Sequence, residues 1–553
     1  MTGKTAWILD GYVDEPACLG VPPYISPYIR TVAGVFLEHG FSPRYCTVDQ
    51  VRANPGLLST MNESDLVIMI AGVTVPGKYL GGTPATLTEI LQIGSRLRDP
   101  ATLIAGPIGF GFSPGGGTKA TKETNFRFDH LLTGSPASAL DGFLREGRTH
   151  GIFEYRKEDP WSVAGSMIIR QHPRFPWVMC EIETARGCPR WHSGGCSFCT
   201  EPFYGSPSYR PVASIREEVE ALHRAGGRHF RLGRQPDILV YGSSLSEEYP
   251  APVPEKVEEL FTAVREAAPD LCTLHIDNVN PGTIARHPGE SRAALDVIVA
   301  HHTPGDVAAF GMETADPDVV LKNNLKASPD QVMEAIRIVN DAGSSREEGI
   351  PHLLPGLNFI SGLAGETPMT FDLDMKFLEK VLESGYLVRR VNIRQLMPFE
   401  GTLAFSDNTA GIHQSRFRAF KERVRQDFDL PMLRRVFPTG TILRNIVMEM
   451  EGMPSFGRQM GSYPLLVGIP VRLTSGVVID AVVVDHGMRS VTALPLPVDV
   501  NALPASALSW LPGVGKAKAR TIASRRPISG LDEFRSLVGA TPLDNHLSFV
   551  RYP

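Results

Sequence analysis

The sequence predicts an α/β chain of several modules, and three observations support this prediction. The chain has 553 residues, more than one hydrophobic core usually serves. Short apolar runs alternate with amphipathic stretches over residues 5–145 and again over residues 179–405. Beyond residue 405 this alternation stops. We therefore expect two α/β modules followed by a smaller C-terminal extension.

Residues 1–150 are predicted to form a Rossmann-like, doubly wound parallel sheet. Continuous apolar runs separated by helices are typical of strands buried on both faces. The predicted strands are residues 6–9, 66–70, 102–105 and 130–132. Glycines such as Gly106, Gly109 and Gly134 follow strand ends, at the edge where open α/β sheets bind ligands. Taken singly, each of these glycines is equally compatible with a simple turn.

Residues 151–178 are predicted to be a basic, proline-containing linker, and residues 179–405 a partial or complete α/β barrel. The predicted barrel strands are residues 228–232, 273–276, 307–310, 357–360 and 391–396. In the extension at residues 406–500 we expect helices as far as residue 450, then a small β-rich element at residues 457–496.

Residues 501–553 carry a helix-hairpin-helix pattern around Gly513, Gly515, Lys516 and Lys518. Backbone N–H groups at such a turn bind phosphate, and lysines add positive charge. A single motif of this kind favours protein docking or a stabilising role over contact with nucleic acid. With a net charge of −5, any contact with nucleic acid must be local.

The composition is that of a soluble globular protein, with 42% hydrophobic and 21% charged residues. We find neither a signal peptide nor a run of ~20 apolar residues that could span a membrane. We therefore expect a cytoplasmic protein.

Three closely spaced cysteines predict a metal site. Cys188, Cys196 and Cys199 are separated by seven and then two residues, in a chain with seven cysteines overall. An odd number of cysteines, with this clustering, indicates metal ligation more than disulfides. Three thiolates can bind three irons of a cubane and leave the fourth iron open. The alternative is a structural zinc site with His192 as the fourth ligand.

This segment resembles the cluster loop of the radical S-adenosylmethionine (SAM) superfamily, although its first gap is longer than usual. The resemblance implies that the three cysteines hold a [4Fe-4S] cluster with Phe198 beside it. It also implies that SAM binds at the strand ends downstream, where further motifs follow in the expected order. The corresponding SAM-binding residues are Gly233, Arg234, Gln235, Glu313, Asn323, Lys326 and Gly362.

An α/β module directly before such a barrel is similar to the architecture of cobalamin-dependent radical SAM enzymes. The Asp-x-His-x-x-Gly signature of many cobalamin proteins is absent from the sequence. The resemblance implies cobalamin near Tyr12, Thr74 and Val75 and near the three glycines named above. Methylthiotransferases are disfavoured because they need a second three-cysteine cluster, and the N-terminal module has only Cys18 and Cys46.

The whole chain resembles an archaeal radical SAM group, in particular the glutamine C-methyltransferases of methyl-coenzyme M reductase. The resemblance implies that a radical derived from SAM abstracts hydrogen from an unactivated Cα, which then receives a methyl group from cobalamin. Methyl-coenzyme M reductase as protein substrate and a reducing electron donor are the implied partners. Two alternatives stay open: a radical SAM RNA-modifying enzyme that holds RNA with the hairpin, and a cluster- or zinc-bearing nucleic-acid-binding protein.

Overall fold

A computed structural model describes residues 3–15, 18–72, 81–113 and 115–550. Its N-terminal module is a five-stranded sheet with the order β2-β1-β3-β4-β5, in which every neighbouring pair is parallel. The strands are β1 (Lys4–Asp10), β2 (Phe41–Thr47), β3 (Leu66–Ile70), β4 (Ala101–Ala105) and β5 (His130–Leu131). The sequence does not predict β2, because Ser42, Pro43 and Arg44 interrupt its apolar pattern. Proline is tolerated there because β2 is an edge strand.

Alternate residues of these strands enter two separate hydrophobic cores, as the two faces of a sheet require. Ile8 and Ile68 belong to one core and Leu9 and Met69 to the other. The first core is covered by α1 (Pro27–Glu38) and α5 (Pro136–Glu146), and the second by α2 (Val48–Ala53), α3 (Leu57–Asn62) and α4 (Leu87–Arg96). Helices therefore lie on both faces of the sheet.

The segment predicted as a linker contains a helix that packs onto the N-terminal module. This helix, α6 (Tyr155–Ala164), lies against α1 so closely that a Cβ at Gly34 would overlap the backbone of Trp161. The Trp161 indole donates a hydrogen bond to Glu38. Sequence patterning misses α6 because five of its ten residues are charged or proline and carry little apolar periodicity.

The second module is a partial barrel of six parallel strands in two sheets. The strands are β6 (Met179–Glu183), β7 (His229–Gly233), β8 (Thr273–Ile276), β9 (Asp306–Glu313), β10 (Leu353–Ser361) and β11 (Arg390–Gln395). A bridge between Asn278 and Ala309 joins the β8 side to β9. The short strand Tyr24–Ile25, from the N-terminal module, pairs in parallel with β6. The barrel stays open between this strand and β11.

Helices follow the barrel strands, as expected for repeated βα units. They are α7 (Val212–Arg224), α8 (Pro254–Ala267), α9 (Pro281–Arg286), α10 (Pro288–His301), α11 (Pro317–Lys322), α12 (Pro329–Gly343) and α13 (Pro368–Glu383). Several begin with proline, whose missing N–H costs nothing in the first helical turn.

The C-terminal extension begins with α14 (Gln414–Arg423), a π-helical turn (Val424–Asp429) and α15 (Leu430–Val436). A closed five-stranded barrel follows, with the order β12-β13-β14-β16-β15. Its strands are β12 (Ile442–Met450), β13 (Ser455–Arg458), β14 (Leu466–Ile469), β15 (Val478–His486) and β16 (Ser490–Pro495). The β-rich element thus begins at residue 442, within the stretch predicted to be helical. A register shift between Leu443 and Ile446, with Asn445 at a φ of 51°, obscures the alternation of β12.

Three helices follow the barrel: α16 (Ala505–Leu508), α17 (Gly515–Arg525) and α18 (Leu531–Val538). They share a hydrophobic core with β15 and β16. Lys518 does not extend freely from this hairpin. Its ammonium donates to the carbonyls of Gly513 at 3.0 Å and Val538 at 2.7 Å. Among the described residues, no helix is long and apolar enough to cross a membrane.

Candidate active site

The three-cysteine loop follows β6 at the carboxyl end of the partial barrel. Cys196 is buried, and Cys188 and Cys199 are half-buried. Gly194 and Gly195 both have positive φ, 83° and 71°, which lets the long first gap fold back on itself. The Cys199 N–H then donates to the Cys196 carbonyl at 3.0 Å. Phe198 packs in a small apolar cluster that contains Cys196 and Cys199.

The three thiols share one electrostatic environment. Burial raises the pKa of Cys188 to about 12 and raises the pKa of Cys199 well above its usual value, and the nearby charge of Cys196 raises both. Two cations oppose this effect: Arg190 donates to the Cys196 sulfur at 3.1 Å, and Lys326 stabilises all three thiolates. Burial alone would lower the pKa of Lys326, but these sulfurs and Glu313 raise it. A metal cluster would take the place of the thiol protons.

The ligand of the zinc alternative points elsewhere. His192 is exposed, and its Nε2 lies 3.1 Å from the Leu245 carbonyl oxygen. Cys180, which also lies near the loop in sequence, is fully buried in β6, where burial raises its pKa to about 12. Three cysteines without His192 or Cys180 match a cluster with one open iron better than a closed structural site.

Two consecutive asparagines after α11 hold the loop in place. The Ser197 hydroxyl donates to Asn323 Oδ1 at 2.7 Å, and Asn323 Nδ2 donates to the carbonyls of Val319 and Ala364, both at 2.8 Å. Asn324 Nδ2 donates to the Gly195 carbonyl at 2.9 Å. The polar atoms of Asn323 are therefore engaged within the protein. Its proposed contact with SAM stays a prediction.

Glu313 and Lys326 face each other across Gly311 at the end of β9. Glu313 has a φ of 67°, and the register of β9 shifts between Gly311 and Glu313. A Cβ on Gly311 would lie 2.5 Å from both Glu313 Oε1 and Lys326 Nζ, so a larger residue would displace both side chains. Burial raises the pKa of Glu313 to about 7, although Lys326 and Arg394 oppose the shift. Such a carboxyl can hold or release a proton near neutral pH.

Arg234 and Gln235 continue this site beyond β7. Arg234 is fully buried and donates to Glu201 Oε1 at 3.0 Å. Its Nε and Nη2, Gln235 Oε1 and Glu313 Oε2 are buried without a hydrogen-bond partner among the described residues. Because buried polar atoms are normally satisfied, these atoms fit a ligand with amine, carboxylate and hydroxyl groups, which SAM provides.

Gly233 and Gly362, the two glycines predicted to approach SAM, are both constrained by their surroundings. A Cβ on Gly233 would overlap the Glu181 carboxylate. Gly362 has a φ of 105°, and its N–H donates to Glu366 at 2.8 Å. These constraints explain the glycines without a ligand. Their contact with SAM stays a prediction.

The predicted cobalamin residues lie at different places in the N-terminal module. Tyr12, buried after β1, donates to Asp49 at 3.0 Å, and Gly106 follows β4 with a φ of 110°. A Cβ on Gly109 would meet no atom within 4 Å, so this position is open. Gly134 instead packs against Gly151, where a Cβ would overlap the Gly151 carbonyl. Thr74 and Val75 lie outside the described residues.

The carboxyl edge of this sheet faces the cluster loop. The Phe110 ring lies 5.5 Å from Phe203 and 5.4 Å from Tyr204, which follow the last cysteine. The N–H groups of Gly117 and Ala120 donate to carbonyls just beyond β11, both at 2.9 Å. An open, glycine-containing edge opposite a cluster loop fits a large planar cofactor.

Sequence reasoning missed an ionic network inside the barrel. Arg231 on β7 contacts Glu181 at 2.9 Å and also pairs with Asp277, and all three side chains are at most 2% exposed. Burial raises the pKa of Glu181 to about 7, although Arg231 opposes the shift. The sequence does contain a signal for this network. Charged residues occur at alternate positions of otherwise apolar strands, and this alternation indicates that their side chains share one face, the barrel interior.

Comparison with known proteins agrees with this geometry. Residues 182–378 match the model of the radical SAM superfamily. An uncharacterised protein of Archaeoglobus fulgidus is 41% identical over 97% of this chain and 98% of its own length. One of Methanocaldococcus jannaschii is 42% identical over 89% of this chain and 93% of its own length.

Residues 182–378 are therefore a domain of the radical SAM superfamily. The chain as a whole belongs to the same family as these two archaeal proteins. Membership in the superfamily implies an enzyme with a [4Fe-4S] cluster and SAM, which needs a reductant. Among solved structures, the chain is similar to the radical SAM methyltransferase TsrM of Kitasatospora setae with tryptophan substrate and aza-SAM bound. The TM-score is 0.51 at 16% identity, covering 72% of this chain and 75% of TsrM.

Proposed function

We propose that this enzyme is a cobalamin-dependent radical SAM methyltransferase that acts on an unactivated carbon. The observation that carries the proposal is the apposition of the N-terminal sheet edge to the cluster loop, through Phe110, Phe203 and Tyr204. A cofactor bound at that edge would lie beside the carbon radical. The fold shared with TsrM, which is a radical SAM methyltransferase, also supports the proposal.

Cysteine and cationic side chains have different roles at the proposed cluster site. Cys188, Cys196 and Cys199 hold the cluster, and Lys326 and Arg190 balance its negative charge. Burial of this loop excludes water from the site, which strengthens the electrostatic interactions within it. When bound, the cluster, SAM and cobalamin would supply the radical and methyl-transfer chemistry.

Three side chains orient SAM and complete the pocket. Arg234 and Gln235 offer their unsatisfied polar atoms to its polar groups. Glu313 would accept hydrogen bonds from the amine or hydroxyl groups of SAM through its unsatisfied Oε2, and it lies opposite Lys326 beside Gly311. Tyr12, Gly106 and Gly109 line the sheet edge proposed for cobalamin. Such positioning places reacting groups at contact distance before the reaction begins.

The most specific form of the proposal is methylation of the Cα of a glutamine in methyl-coenzyme M reductase. It is supported by the resemblance of the sequence to that group of methyltransferases. A peptide Cα carries no lone pair and is a poor acid, so an ordinary polar methyl transfer is not available to it. A radical enzyme is therefore suited to this substrate.

The test compares two cysteine variants of the full chain after anaerobic cluster reconstitution. Cys199→Ala removes a cluster ligand, and Cys272→Ala removes an exposed cysteine outside the site. With SAM, cobalamin, a reductant and a glutamine-containing peptide of methyl-coenzyme M reductase, we expect wild type and Cys272→Ala to form 5'-deoxyadenosine and methylated peptide. Cys199→Ala should form neither. Deoxyadenosine without cobalamin-dependent methylation would refute the methyltransferase assignment but leave the radical SAM assignment intact.

A further inference from the structure

A large cavity lies on the open side of the partial barrel. Its volume is about 770 Å³, within the range of small-molecule sites. One wall is formed by β11, and the opposite wall by residues 19–24, which include the short strand beside β6. The C-terminal extension closes the remaining sides with α15, the π-helical turn and the five-stranded barrel. All three modules of the chain therefore contribute to this cavity.

The charged groups that line the cavity are almost all cationic. Seven arginine and lysine side chains face one acid, Asp429. Some of these cations have acidic neighbours: Arg458 pairs with Glu449 at 2.8 Å, and Arg489 lies 3.7 Å from Asp429. Even beside Arg489, burial raises the pKa of Asp429 to about 6.

Two adjacent arginines, Arg389 just before β11 and Arg390 at its first position, lack this compensation. Among the described residues, no carboxylate lies within 4 Å of the guanidinium of Arg389 or Arg390. The Nε atom of each is buried without a hydrogen-bond partner. Arg389 donates through Nη2 to the Tyr463 carbonyl at 3.2 Å. Both arginines also contact aromatic rings: the Arg390 guanidinium lies 3.2 Å from the Tyr463 ring centroid, and that of Arg389 lies 4.8 Å from the Phe437 ring centroid. Burial lowers the pKa of both arginines to about 10.

We infer that this cavity binds a ligand carrying more than one anionic group, phosphate or carboxylate, through Arg389 and Arg390. Guanidinium groups bind both kinds of anion with paired N–H donors, and they do so most strongly where water is excluded. The aromatic contacts hold the two guanidinium planes in place but supply no negative charge. A bound anion would supply the missing charge.

Arg394 links the cavity electrostatically to the candidate active site. This residue lines the cavity next to Arg390 in the alternating pattern of β11, and it also stabilises the Glu313 carboxylate. We therefore assign the anionic ligand as part of the substrate, an assignment that rests on the proposed function. A glutamine side chain is neutral, so in a peptide substrate the charges must lie on residues that flank the methylated one.

The experiment measures equilibrium binding of two probes to the full-length, cluster-loaded protein without SAM or reductant. Pyrophosphate tests a phosphate ligand, and citrate tests a carboxylate ligand. We expect one saturable site for at least one probe, weakened by salt, and the stronger probe identifies the chemistry. Arg390→Gln should weaken binding roughly tenfold or more, because it removes a charged hydrogen bond. Arg390→Lys, which keeps the charge, should weaken it less.

Arg337→Gln is the matched control, because Arg337 lies on α12 outside the cavity and pairs with Glu334 and Asp341. If Arg390→Gln does not fold, Arg489→Gln replaces it, since Arg489 is half exposed and its loss should weaken binding severalfold. The absence of saturable binding by either probe, or equal affinities of the cavity and control variants, would overturn the inference. If cobalamin competes with the probe, the cavity binds the phosphate of that cofactor, and the assignment to the substrate is overturned. Because these measurements need no turnover, a failure of methyl transfer leaves them interpretable.

Discussion

Replacing Asn323 by aspartate should release the cluster loop without changing the size of the side chain. In the wild type, Nδ2 donates to the carbonyls of Val319 and Ala364, and Oδ1 accepts from Ser197. Asn323→Asp keeps the acceptor but points an oxygen at two carbonyls. Two lost hydrogen bonds cost about 2 kcal/mol, and the buried groups left unsatisfied add about 1–3 kcal/mol. The total is about 3–5 kcal/mol.

This cost falls on the contacts of Asn323 with Val319 and Ala364, which orient its Oδ1 toward the Ser197 hydroxyl of the cluster loop. Because about 1.4 kcal/mol corresponds to a tenfold change, this orientation should be disfavoured by roughly two to four powers of ten. We therefore expect little iron and sulfide per chain after anaerobic reconstitution of Asn323→Asp, and little cleavage of SAM. Thermal unfolding should also begin at a lower temperature.

Asn340→Asp provides a closely matched control. Asn340 Nδ2 donates to the carbonyls of Ile336 at 2.9 Å and Leu387 at 3.0 Å, and its Oδ1 accepts from the Leu387 N–H at 2.8 Å. Asn340→Asp therefore also loses two N–H donors, but residue 340 does not contact the cluster loop. Its stability should fall by a similar amount while its iron content stays normal. Full iron content in Asn323→Asp, or equal iron loss in both variants, would show that Asn323 does not position the loop.

Three further predictions concern stability. Arg231→Met should destabilise the fold by about 3–5 kcal/mol in urea unfolding, because the buried carboxylates of Glu181 and Asp277 lose their cation. Adding Glu181→Gln and Asp277→Asn to this variant should recover much of the lost stability. Burial lowers the pKa of His172 from 6.5 to about 3, so the unfolded chain binds more protons between those values and stability falls as pH decreases from 6.5. His172→Phe should remove about 2 kcal/mol of that loss at pH 5, measured by urea midpoints, and an unchanged pH profile would contradict this assignment. Lys518→Ala should destabilise the hairpin turn by ~1 kcal/mol and so speed its amide hydrogen exchange, without affecting SAM cleavage. Unaltered exchange would show that the two carbonyl contacts of Lys518 do not stabilise the turn.

Strong local patterns allowed much of this architecture to be predicted from the sequence. The apolar runs at β3 and β4 and at most of the barrel strands were found, because strands buried on both faces are almost continuously apolar. The cysteine spacing led to the superfamily that the comparison confirmed. The strand β2, the helix α6 and the strand β12 were missed, because proline, charged residues and a bulge respectively interrupt the local pattern.

The parts of the site that depend on distant contacts could not be predicted. Asn323 was predicted to contact SAM from its place in a motif, whereas the structure also shows it bound to Ser197, 126 residues away. Gly134 looked like a ligand-edge glycine, but its close neighbour is Gly151. The basic cavity combines residues from all three modules, and each arginine alone resembles an ordinary surface charge. Periodicity reports which face of an element is buried, but not what it is buried against.

The pairing of Tyr24–Ile25 with β6 has a consequence for the movement of the whole enzyme. Because part of the N-terminal module is a strand of the barrel sheet, the two modules cannot separate as rigid bodies about a hinge without breaking backbone hydrogen bonds. A barrel cut free before residue 151 would expose the edge of β6, which would then be open to pairing with another chain. Ligands therefore have to bind while the two modules stay docked.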